Sequence, residues 1–134
     1  MSKKIKKPEA PPFSLSIEEV LRLMDEAQKD YVWNCNQVRK MDSLTQDYLH
    51  NLELGNLPYK ERAKIATKLA QCRRLRREHK DTVETLQPLV EYLDSAKGKA
   101  AIDGLRDILG KTRKTEERMK NRVYYNRILG GWIV

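Results

Sequence analysis

Cys35, Cys72, His50 and His79 are the side chains of this sequence best suited to metal chemistry, because thiolate and imidazole are ordinary zinc ligands. Their order along the chain works against a shared site. A helical hairpin turning near residue 55 sets Cys35 beside about residue 76 and Cys72 beside about residue 39, which leaves His50 many turns from Cys72. Asp47 and His50 share a helix face, but the paired Glu-x-x-His motifs of a di-iron bundle are missing. Asp81, Glu84 and Glu91 can share another face, with no second acidic cluster to complete a two-metal site. Gly110, Lys111 and Thr112 spell the end of a phosphate loop, yet Leu105 stands where its first glycine is needed and Asp107 lies within the loop. No GxSxG, HExxH or deaminase pattern occurs. The expectation is a protein that is not an enzyme and takes no cofactor or metal, its cysteines and histidines lying in the core or at its boundary.

Chemistry of another kind is concentrated in CRRLRREHKD, from Cys72 to Asp81, where five basic side chains occupy nine positions before the sign reverses. Helical spacing places Arg73, Arg74, Arg77 and Lys80 on the side opposite Leu69, Cys72 and Leu75. Such a ribbon can contact successive phosphates in a salt-sensitive way without base preference, or it can meet an acidic protein surface. The blander alternative pairs Arg73, Arg74 and Lys80 with acids of neighbouring helices and leaves the rest to water. Zinc-finger, KH and RRM signatures are absent, and the helices look too long for a helix-turn-helix. Arg122, Tyr124, Tyr125 and Arg127 form a second candidate surface, since Tyr and Arg bury large contact areas while keeping polar ends. The competing reading has Tyr124 and Tyr125 close the end of the bundle. Trp132, Ile133 and Val134 form either a hook onto the hairpin or an apolar contact with a partner.

Long helices must position these residues. Residues 1 to 13 carry Lys3, Lys4, Lys6, Lys7 and three prolines, and read as a flexible basic arm ahead of a single helical domain at 14 to 134. Ser16 and Glu19 form a capping-box signal for the first helix. From there Val20, Met24, Ala27, Tyr31, Asn34, Val38, Met41, Thr45, Tyr48 and Leu52 alternate steps of four and three, a seam suited to coiled-coil packing. Gly55, expected in the left-handed region, and Pro58 punctuate the turn. The second seam runs Arg62, Ile65, Leu69, Cys72, Arg76, His79, Val83, Leu86, Val90 and Leu93, with Leu75 and Leu89 beside it. The matched spacings predict an antiparallel hairpin about seven turns long. Pro88 should bend or break its second helix. After residues 95 to 98, a third amphipathic segment carries Ile102, Leu105, Leu109, Thr112, Met119 and Val123, with Gly104 and Gly110 as points of interruption. The expected class is all-α: a long antiparallel helical hairpin with a third helical segment and coiled-coil-like packing.

The whole chain sets outer bounds. Its 134 residues suit one domain, and 27 Lys and Arg against 19 Asp and Glu give a net charge of +8 that speeds encounter with polyanions or acidic proteins. The charge is uneven: residues 60–80 hold nine basic and two acidic groups, residues 81–110 three and six, and residues 111–134 seven and two. No apolar run approaches the roughly 20 residues of a membrane span, and the opening MSKKIKKPEAPP lacks the apolar core of a signal peptide. A cytoplasmic location with no membrane contact follows as an expectation. Two cysteines do not make a disulfide framework, though one bridge is open to them.

The stretches LAQCRRLRREHKDTVETLQPLVEYL, residues 69 to 93, and LGKTRKTEERMKNRVYYNR, residues 109 to 127, resemble small uncharacterised helical proteins carried by phages and mobile elements of Gram-positive bacteria. The resemblance implies a context: such proteins often bind host or phage proteins, including defence and replication machinery, and some are anti-CRISPR or other inhibitors. The leading expectation is a protein-binding or inhibitory module using Arg73, Arg74, Arg77, Lys80, Arg122, Tyr124, Tyr125, Arg127 and Trp132, with an acidic or nucleoprotein partner. Direct DNA or RNA binding is the alternative. Homodimerisation through leftover seam is a further expectation, unless Asn34 finds its partner within one chain.

Overall fold

The computed structural model describes residues 11–125, 128 and 132–133. Among them the protein is all-α, built from α1 (Phe13–Leu54), α2 (Tyr59–Asp94) and α3 (Ala96–Lys120). A two-residue antiparallel ladder follows, in which β1 (Tyr124–Tyr125) pairs with β2 (Trp132–Ile133). The chain divides into two compact units, one of residues 24–98 and the other of residues 1–23 with 99–134.

The hairpin fills the first unit. Every expected seam position of α1 from Met24 to Leu52, and of α2 from Ile65 to Leu93, is buried or half-buried. Cross-helix bonds fix the antiparallel register, with Asn34 meeting His79, Met41 meeting Cys72 and Asp42 meeting Arg76. The seam departs from expectation near the turn. Arg62 is exposed there and forms no ion pair with any described residue, and a lone guanidinium stays in water. Gly55 ends α1 with φ outside the left-handed region. It is required instead because a Cβ would lie 2.5 Å from the Asn51 carbonyl oxygen.

Pro88 does not break α2, which runs on to Asp94. The proline is exposed, so the Glu84 carbonyl that lacks its usual donor can be hydrated, while buried Val90 and Leu93 hold the last two turns in place. Nor is there a four-residue linker after it. Ser95 alone separates α2 from α3, its N–H bonding the Glu91 and Tyr92 carbonyls and its Oγ accepting the Gly98 N–H at 3.1 Å. One serine thus closes one helix and caps the next.

In the second unit, α1 begins at Phe13, a turn before the Ser16 capping box. No acidic residue lies in its first turn, and the missing anion comes from α3: Ser14 donates its N–H (2.9 Å) and its hydroxyl (2.6 Å) to the Glu116 carboxylate. Arg113 of α3 pairs with Glu18 one turn further along. This approach buries Ser14, Ile17, Glu18 and Leu21 in whole or part and leaves Val20 exposed, although Val20 had been the expected start of the seam. On α3 the buried face continues from Ile102, Leu105, Leu109 and Thr112 to Glu116. Met119 is exposed, and Val123 lies beyond the helix end. Gly104 and Gly110 do not interrupt α3.

Candidate functional site

The basic ribbon is displayed by α2 over a tightly specified inner face. Cys72 is buried, and its thiol donates to the Met41 carbonyl (3.3 Å) while Thr45 Oγ1 lies 3.6 Å from the sulfur. With the thiol proton committed to the carbonyl, the Thr45 hydroxyl is the donor to sulfur. Buried Asn34 donates through Nδ2 to the Asp30 carbonyl (2.8 Å), so its Oδ1 is the acceptor facing His79 Nδ1 at 2.8 Å. That assignment puts the hydrogen of His79 on Nδ1. Trp33 meets the imidazole edge to face, with ring centroids 5.4 Å apart. Asn34 therefore finds its partners within one chain.

On the outer side of α2, Arg73, Arg74, Arg77 and Lys80 are exposed and form no ion pair with any described residue. The alternative pairing of Arg73, Arg74 and Lys80 with acids of neighbouring helices is not seen among the described residues. Arg76 behaves differently, being half-buried and bonded through Nε to Asp42. The four free cations line a crevice of about 360 Å³ together with Arg76, Asp81 and Glu84. Glu78, Asp81 and Glu84 follow Arg74, Arg77 and Lys80 by four residues each, and none closes to within 4.0 Å. Base before acid is the weaker order for such a pair on a helix.

A second concavity, which the sequence did not single out, lies in the same unit beside the hairpin turn. Leu52, Leu57, Tyr59, Arg62, Ala63 and Ala66 line a notch of about 510 Å³, and Tyr59 is 86% exposed. The available signal was an aromatic residue immediately after Pro58 followed by alanines at helical spacing, which periodicity alone assigns to a solvent face.

The other predicted residues belong to the second unit. Arg122 is exposed just after α3, and its N–H donates to the Met119 carbonyl at 3.3 Å. Backbone pairing sets Tyr125 opposite Trp132 and Tyr124 opposite Ile133. Tyr124 and Tyr125 thus lie on a strand, with Ile133 and Trp132 as their backbone partners. Arg127 and Val134, like residues 1–10 of the basic arm, lie outside the described residues.

Cys35 and Cys72 are both free thiols, and no group of three or more His, Cys, Asp or Glu capable of holding a metal occurs among the described residues. Glu91 instead accepts a hydrogen bond from Gln87 at 2.9 Å. The Tyr31 hydroxyl has its pKa raised, first by the neighbouring charge of Cys35 and then by burial. No helix among the described residues is long and apolar enough to cross a membrane. Neither protein-family models, nor curated proteins, nor solved structures match this chain.

Proposed function

We propose that this chain is a non-enzymatic protein-binding module, an adaptor or inhibitor whose contact surface is the outer flank of α2. The observation that carries this reading is the crevice in which Arg73, Arg74, Arg77 and Lys80 stand unneutralised beside Asp81 and Glu84. A phosphate track gains from cations and loses from carboxylates among them, whereas a protein partner of mixed charge can meet both. In the phage or mobile-element setting that the resemblance implies, the target would be host defence or replication machinery.

Direct nucleic-acid binding is the second reading, favoured by the same four free cations. Salt separates the two. Four phosphate contacts predict that the logarithm of affinity falls with the logarithm of salt concentration at a slope of about −3 to −4. Titration of the full chain with a labelled duplex of about 20 base pairs between about 50 and 200 mM salt measures that slope. A slope this steep, abolished by Arg73→Glu with Arg77→Glu, replaces the protein-binding reading. Negligible duplex binding, alongside a protein complex that survives nuclease and is lost on the same charge reversal, supports it.

A further inference from the structure

The flank of α2 that bears the arginines extends well upstream of them. Tyr59, Ala66, Ala70, Arg73, Arg77 and Lys80 follow at intervals of seven, four, three, four and three residues, and all six are exposed. These intervals keep them on one line down the helix, and at 1.5 Å per residue the line is about 32 Å long. Its upstream end opens into the apolar notch beside the turn, its middle carries two small side chains, and its downstream end carries three cations without partners.

We infer that this line is the docking groove for an acidic amphipathic helix of a partner protein. The inference rests on the protein-binding reading and names the partner's chemistry. The steps of three and four are those at which one helix packs along another in a coiled coil, so the matching partner is a helix of about 20 residues. Ala66 and Ala70 present no long side chain, which lets the partner's apolar residues come close to α2 between the notch and the cations. Charge complementarity sets the rest: Arg73, Arg77 and Lys80 call for carboxylates opposite them, and a segment with nine basic and two acidic groups repels a basic or neutral-positive helix. Glu84, next on the same line after Lys80, repels a carboxylate placed beyond the cations and so fixes how far the partner can slide.

The test uses the full chain and a labelled synthetic helix of about 21 residues, with Leu at heptad positions a and d and Glu at e and g, against a matched peptide with Lys in place of Glu. The Glu peptide should bind at least about tenfold more tightly than the Lys peptide, and Arg73→Glu with Arg77→Glu should remove that preference. Ala66→Arg is the decisive variant. It adds a positive charge, which strengthens a purely electrostatic surface, yet it fills the groove and should weaken the Glu peptide by at least about fivefold. Circular dichroism checks that each variant keeps its helix content. Glu-peptide binding that is lost on charge reversal but unchanged or tighter in Ala66→Arg overturns the groove and leaves the protein-binding reading standing. A duplex DNA probe that binds while the Glu peptide does not overturns both. Sedimentation showing a dimer of this chain that Ala66→Arg dissolves makes a second copy the occupant and overturns the acidic partner.

Discussion

At the scale of single residues, two polar contacts do more than their neighbours. The Asn34 amide bridges the Asp30 carbonyl and the His79 imidazole inside the hairpin. Asn34→Leu leaves the imidazole N–H without its partner, so unfolding free energy should fall by about 1–3 kcal/mol in chemical denaturation. Adding His79→Leu removes the orphaned donor, and much of the loss should return. The Glu116 carboxylate is the second contact. Its pKa is lowered, first by the Ser14 hydroxyl, then by the Ser14 N–H, with a further contribution from Arg113. A carboxylate depressed in the folded state adds stability that is present above its unfolded value, about 4.3, and lost as pH falls through the lower folded value. The melting temperature of the native chain should therefore drop more steeply below about pH 4.5 than that of Glu116→Gln, which begins lower and changes less.

At the scale of elements, Pro88 is the position where local chemistry and tertiary packing disagree. The helix continues through it, so Pro88→Ala should restore a donor to the Glu84 carbonyl and raise stability by about 1–3 kcal/mol, read as a higher melting temperature. The hairpin itself was legible in the sequence, because Met24 to Leu52 and Ile65 to Leu93 keep alternating steps of three and four and face one another across a short turn. Periodicity sees only such repeating faces. It missed that α1 starts at Phe13, because the anion satisfying that first turn lies 102 residues away on α3. It placed Arg62 in the seam by spacing, where desolvation keeps the charge outside. Glu116 follows Leu109 and Thr112 at helical spacing on the buried face of α3. The arginine ribbon was legible by position, but its lack of ion partners was not, since that depends on where side chains of other elements end. The notch escaped notice because Leu52, Leu57 and Ala66 become neighbours only when the turn closes.

Across the whole molecule the interior is thin: no side chain among the described residues is less than 2% exposed. Stability then draws on long, partly wet seams, and the cost of crowding like charges weighs more heavily against it. Nine basic groups against two acidic ones within residues 60–80 should repel one another, and salt screens that repulsion over about 8 Å at physiological ionic strength. Thermal melts from about 20 to 300 mM salt should show the melting temperature rising, with much of the rise gone in Arg73→Glu with Arg77→Glu. A chain whose melting temperature is flat or falling with salt has its charges balanced by contacts other than those described.

The bond between Ser14 and Glu116 also sets an order of events. Hairpin contacts such as Met41 with Cys72 and Asn34 with His79 close loops of 31 and 45 residues, whereas Ser14 with Glu116 closes one of 102. Short loops close at lower entropic cost, so the hairpin should form first and the first turn of α1 should be secured last. On the ribosome the consequence is sharper. The opening turn of α1 waits, without its anion, until Glu116 has been made 102 residues later.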